Sequence, residues 1–178
     1  MSFDAAQRAY LVRDQAIGPF VINFVLNGAL GLLLFRGVDP VPTWGVESSA
    51  APDLIGTCFF LPAITCLIVT PLVRRHVRSG VVERVPHPEP RPAWLRLLGG
   101  PIVPRAIAFG LAGLLLFGGL LAALLLAAGP EAFGLTRFLW LKASFSGALG
   151  ALVTPLIGLV AMLDADRGAQ PVALGIQR

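Results

Sequence analysis

Four long apolar stretches dominate this chain of 178 residues, and each is long enough to cross a lipid bilayer. They run from Ile17 to Phe35, from Leu54 to Val73, from Ala106 to Ala128 and from Phe138 to Leu163. A helix that crosses the hydrocarbon core of a membrane needs about 20 predominantly apolar residues. The sequence therefore predicts an all-α integral membrane protein built as a four-helix bundle.

The composition agrees with a membrane protein, because only 13% of the residues are charged and the mean hydropathy is +0.78. Soluble domains carry about 25% charged residues to cover their surface. We divide the chain into five segments. They are an amino-terminal cytoplasmic or interfacial helix at 1–16, a first membrane hairpin at 17–73, a basic proline-rich cytoplasmic link at 74–105, a second membrane hairpin at 106–163 and a cytoplasmic tail at 164–178.

Two short motifs occur twice and in the same order. GLLLFRG begins at Gly31 and recurs as GLLLFGG at Gly113, and VTPL begins at Val69 and again at Val153, so the offsets are 82 and 84 residues. A near-constant offset is typical of an internal repeat. The pattern predicts two tandem helical hairpins that are related by an axis along the membrane normal. Chance similarity between leucine-rich segments is the alternative.

Orientation follows from the arginines, because basic loops next to spanning helices tend to stay in the cytoplasm. The link between the second and third stretches is rich in arginine and starts with Arg74, Arg75 and Arg78, which we predict to form a cytoplasmic basic surface. Both termini should lie on that side of the membrane.

Polar and small side chains mark one face of several predicted helices. Asn23 and Asn27 are one turn apart on the first helix, and an amide that faced lipid would be poorly satisfied. The full set of candidate residues for a solute pathway or for helix packing is Asn23, Asn27, Thr65, Cys66, Thr70, Pro71, Gly147, Thr154 and Pro155. Interhelical hydrogen bonding and a wet pathway both remain open, as do static and gating kinks at the two prolines.

Motifs for catalysis are missing from the sequence, and we predict neither an enzyme, a cofactor nor a metal site. The ionisable residues of the apolar stretches lie at helix ends, and the two histidines, His76 and His87, both lie in the link. Cys58 and Cys66 are about 12 Å apart along one helix, which is too far for a disulfide. We interpret both cysteines as packing residues.

The second stretch ends in PAITCLIVTPLVRRHV, with Pro62 and Pro71 followed by Leu72, Val73, Arg74 and Arg75. This ending resembles that of small uncharacterised bacterial multi-span membrane proteins, some of which are loosely labelled permeases. The resemblance implies a location in the bacterial inner membrane and a role in transport, without a substrate.

Two functions follow as hypotheses. The first is a small permease or channel-like protein for an unknown small solute, and the alternative is a non-catalytic membrane subunit or an assembly or interaction protein. The expected partners are the lipid bilayer and either further copies of the chain or another membrane protein, and no nucleic acid.

Overall fold

The computed structural model describes residues 9–82, 98 and 100–165, which form four long helices. We call them α1 (Tyr10–Leu34), α2 (Ala50–Arg78), α3 (Ile102–Ala128) and α4 (Leu135–Leu163). Each helix is long and apolar enough to cross a membrane by length and composition. The prediction of an all-α chain with four such helices is confirmed.

Several predicted segments fall partly outside the described residues. These are the start of the amino-terminal segment at 1–8, most of the basic link with His87, and the tail from residue 166 onward. Within the described part, residues Tyr10–Ile17 continue into the first helix, with π-type backbone bonding such as Gly18 N to Arg13 O. Residues 10–16 are thus an extension of the first apolar helix.

The helices alternate in direction, so the start of α1 and the end of α4 lie at the same end of the bundle. Tyr10 packs there against Val77 of α2 and Met162 of α4. We call this the basic end, because Arg74, Arg75, Arg78 and Arg105 all belong to it.

The opposite end, which we call the loop end, is closed by the two short connections. β1 (Val41–Pro42) pairs in antiparallel fashion with β2 (Ala132–Phe133). The Thr43 amide donates to the Glu131 carbonyl at 2.8 Å, and the rings of Phe35 and Phe138 lie 4.6 Å apart beneath the connections. The residues between α1 and α2 are therefore held against those between α3 and α4.

Packing follows the order α1, α4, α2, α3, so helices that are adjacent in sequence are not the main neighbours in space. α1 packs on α4, α2 packs on both α4 and α3, and α1 has few contacts with α2 apart from those of Tyr10 at the basic end. Glycines permit the closest approaches: a Cβ at Gly113 of α3 would overlap the Cys58 carbonyl oxygen of α2, and one at Gly150 of α4 would lie 3.2 Å from the Pro19 carbonyl oxygen of α1.

The middle of the bundle is packed with apolar side chains. Cys58, Cys66, Leu149, Val153 and Ile157 are all buried there, and Phe109 and Phe145 close the cluster from the side. A densely packed interior of this kind leaves little room for a solute along the central axis.

Candidate functional site

A groove lies between α1 and α2, because both helices pack on α4 and hardly on each other. α4 forms its floor, where Lys142 and Thr154 contribute, and the groove has a volume of about 550 Å³. Binding sites for small molecules generally measure about 300–1,000 Å³. The groove is thus large enough for a small ligand.

The walls of the groove are mostly apolar and open to the outside of the bundle. Ile22 and Leu26 of α1 face Phe60, Ile64 and Ile68 of α2 across it, and all five side chains are more than half exposed. A ligand can therefore enter sideways between the two helices.

Asn23 and Asn27 line the groove, but each amide donates to a carbonyl of its own helix. Asn23 Nδ2 donates to Pro19 O at 2.8 Å, and Asn27 Nδ2 donates to Asn23 O at 3.1 Å. Asn23 also lies against Gly150 of α4, where the absence of a side chain makes room for the amide. In the described part of the chain, neither amide makes a hydrogen bond to another helix.

Three threonines also line the groove: Thr57 and Thr65 from α2 and Thr154 from α4. Thr57 Oγ1 donates to Asp53 O at 2.8 Å, and the buried Thr154 Oγ1 donates to Gly150 O at 2.7 Å. Both hydroxyls thus donate their proton to a carbonyl of their own helix, as is common for threonine in apolar surroundings. The half-buried Thr57 can therefore offer a ligand only lone pairs, whereas Thr154 is fully buried.

A buried ion pair closes the groove near the loop end. Lys142 Nζ donates to Asp53 Oδ1 at 2.6 Å and to Oδ2 at 2.5 Å, and the exposed fractions of the two side chains are 4% for Lys142 and 17% for Asp53. Asp53 also borders a second cavity of about 250 Å³ toward the loops, lined by Val46, Ser48 and Ser49. The carboxylate thus separates the groove from this smaller cavity.

This pair was not predicted from the sequence, because Lys142 was expected to lie at a helix end. In the structure Lys142 lies about two turns inside α4 and Asp53 lies about one turn inside α2. The signal in the sequence was a carboxylate near the start of the second apolar stretch and a lysine near the start of the fourth. Both helices start at the same end of the bundle. Charges inside apolar helices are usually paired with one another.

The other candidate residues are not brought together at the groove. Cys66 and Thr70 lie in the interior with their side chains 3.5 Å apart, and both are buried. Gly147 packs on Phe20 of α1. Pro71 is exposed and Pro155 is half-buried, and α2 and α4 remain continuous helices through both prolines.

The three arginines of the predicted basic surface differ in exposure in the structure. Arg74 binds Asp164 at 2.5 Å and is 24% exposed, whereas Arg75 and Arg78 are exposed. Arg105 of α3 also pairs with Asp164, and its side chain is only 1% exposed. Asp164 therefore joins the ends of α2 and α4 to the start of α3, a contact that sequence reasoning did not anticipate.

Metal ligands are not gathered anywhere in the described ranges 9–82, 98 and 100–165: no group of three His, Cys, Asp or Glu side chains stands within reach of one ion.

Comparison of the chain with protein-family models, curated proteins and solved structures finds no match.

Proposed function

We propose that this chain is an integral membrane protein with four spans and that its basic end faces the cytoplasm of a bacterium. The helices contain 25 to 29 residues, which is about 37–44 Å of helix and exceeds the hydrocarbon core of about 30 Å. Large apolar side chains such as Leu115, Leu116 and Leu126 point outward along α3. Arg75 and Arg78 then lie in the cytoplasm, as basic loops usually do.

The packing supports the proposed duplication of a hairpin. If α3 repeats α1 and α4 repeats α2, the contact of α1 with α4 corresponds to the contact of α3 with α2, and the contact between α2 and α4 corresponds to itself. The close approach of Gly28 to Ala143 then matches that of Gly110 to Phe59 at the sequence offsets of the two motifs. A two-fold axis along the bundle relates such halves.

We further propose that the protein is a small permease that takes a hydrophobic or amphipathic small molecule into the groove between α1 and α2. The observation that carries this proposal is the groove itself: two helices splay apart over α4 and leave about 550 Å³ with apolar walls, while polar groups lie on the floor and at one end. The opening faces the bilayer, so the solute enters from the lipid phase.

The length of the groove suits an extended apolar molecule. The groove extends along α1 from Pro19 to Leu34, about 22 Å. Its volume of about 550 Å³ lies within the range of small-molecule sites, and its walls offer mainly apolar contact.

Two matched glycine variants test the function. Cβ atoms built at Gly56, which lines the groove, and at Gly119, which lies on α3, both meet nothing within 4 Å. Gly56→Phe should therefore fill the groove without disturbing the fold, and Gly119→Phe should leave the groove open. Both variants are reconstituted with a photoactivatable hexadecanol, and the labelled peptides are identified by mass spectrometry.

We expect labelling of the α1 and α2 groove walls in the parent protein and in Gly119→Phe, and its loss in Gly56→Phe. Equal labelling of all three proteins at these walls would contradict the proposal. Efflux of the same probe from proteoliposomes, faster than from empty liposomes and slowed by Gly56→Phe, then distinguishes a permease from a protein that merely binds the probe. If the groove instead receives a helix of another subunit, the probe will label it only after that subunit has been removed.

A further inference from the structure

The charged end of the groove presents a carboxylate more than an ammonium group to an incoming molecule. Asp53 is the more exposed member of its ion pair with Lys142 and borders both cavities. Lys142 uses two of its three N–H donors on Asp53, whereas a carboxylate has about four lone-pair positions, so about two of those on Asp53 remain. This end can therefore accept more hydrogen bonds than it can donate.

The rest of the polar lining has the same bias. The side chains of Asn23, Asn27, Thr57 and Thr154 each donate to a carbonyl one turn earlier in their own helix. The two threonine hydroxyls have then no further proton to give, and each asparagine keeps its carbonyl oxygen and one N–H. A ligand that donates hydrogen bonds is better satisfied here than one that accepts them.

The surrounding charge points in the same direction. Around the loop end the sequence carries Asp39, Glu47 and Glu131 against Arg36 and Arg137, in addition to the pair itself. The acidic excess favours a cation approaching from this side. Deeper in the groove the walls of Ile22, Leu26, Ile64 and Ile68 offer only apolar contact, which suits a hydrocarbon chain.

We infer that the solute of this groove is an amphiphile with a protonated amine as its head. The ammonium group donates to the Asp53 carboxylate beside Lys142, and the hydrocarbon chain lies between α1 and α2 toward the basic end. This inference rests on the proposed function, because it assigns a substrate class to the same groove.

Four probes with one chain and different heads test the assignment. The protein is placed in phosphatidylcholine nanodiscs and labelled with a photoactivatable hexadecylamine. Hexadecylamine, hexadecyltrimethylammonium, hexadecyl sulfate and hexadecanol then compete, all without the photoactivatable group. The quaternary head has the charge of the amine but no N–H, so it separates charge from hydrogen bonding. Labelling of the outer face of α3 measures nonspecific partition into the bilayer.

Hexadecylamine should compete at the groove at least about tenfold better than the other three probes, since a charge-assisted hydrogen bond contributes about that factor. The double variant Asp53→Asn with Lys142→Met removes both charges without leaving one of them unpaired. It should lose the preference for the amine and still be labelled in the groove by a photoactivatable hexadecanol. Asp14→Asn, which removes an exposed carboxylate at the basic end, should keep the preference.

The remaining outcomes separate the two proposals. Equal competition by all four heads, or a preference for the sulfate, would overturn the amine assignment and leave the groove as a binding site. An amine preference that survives in the double variant would also overturn it, because the carboxylate would then be dispensable. If no probe labels the groove above the level of α3, the proposed function fails together with the assignment.

Discussion

Lys142 and Asp53 form an ion pair, and removing one partner should destabilise the bundle by a different amount from removing the other. Its two contacts are short, at 2.6 and 2.5 Å, and Lys142 is 4% exposed whereas Asp53 is 17% exposed. Removing one partner of a buried pair costs about 3–5 kcal/mol, because the other charge is left without compensation. Which partner remains therefore decides the cost.

Asp53→Asn leaves the more deeply buried ammonium group and should cost about 3–5 kcal/mol of the free energy of unfolding. Lys142→Met leaves the more exposed carboxylate, which borders the cavity toward the loops, and should cost about 1–2 kcal/mol, between the values for exposed and buried pairs. The double variant should cost less than the sum of the two by about 1–3 kcal/mol, because it leaves no charge unpaired.

Reversible unfolding of the purified protein in mixed detergent micelles, followed by circular dichroism, measures all three free energies. Glu131→Gln serves as the control on an exposed loop carboxylate and should change stability by no more than about 0.5 kcal/mol. The reasoning is refuted if Asp53→Asn costs no more than Lys142→Met, or if the two single effects simply add in the double variant.

Three further experiments test the packing of the bundle. Gly113→Ala places a methyl group against the Cys58 carbonyl oxygen and should destabilise the protein by about 1–3 kcal/mol, while Gly119→Ala, which meets open space, should be neutral or stabilising in the same unfolding assay. Asp164→Asn removes the carboxylate that two arginines share and should cost at least about 3 kcal/mol; a neutral result in that assay would disprove its role as a joint between helix ends. The buried thiols of Cys58 and Cys66 should resist an impermeant maleimide on both sides of the membrane until the protein is unfolded, and rapid labelling of the folded protein would reveal a wet interior.

The number and class of the helices were predictable, because each apolar stretch must by itself be long enough to cross the hydrocarbon core of a membrane. The order of packing was not. Periodicity marks which face of α1 carries Asn23 and Asn27, but it does not tell whether that face meets α2 or α4. That choice depends on close approaches such as Gly150 against Pro19, which require both helices to be known.

The candidate site was predictable only in part, for a similar reason. Asn23, Asn27, Thr65 and Thr154 were selected as polar residues on apolar helices, and all four line the groove. Cys66 was selected by the same criterion and lies instead in the packed interior. Helical spacing places Cys66 about 100° from Thr65, so a difference of one position separates the groove from the core.

Under the proposed duplication, the groove between α1 and α2 over α4 corresponds to the space between α3 and α4 over α2. Aligning the halves by their two motifs pairs three polar groove residues of the first half with apolar residues of the second: Asn27 with Phe109, Thr57 with Leu141 and Thr65 with Leu149. A fourth, Asn23, corresponds to Arg105. Phe109 packs against the central cluster and Leu149 belongs to it, so these side chains fill space that stays open between α1 and α2. Asp53 corresponds to Arg137, which reverses the charge at that position. The glycine contacts, Gly28 with Ala143 and Gly110 with Phe59, occur in both halves and let the helix backbones approach closely. Three polar groups of the groove thus have apolar counterparts in the second half, and this is the pattern expected when one half of a duplicated bundle keeps a scaffold role and the other acquires a ligand.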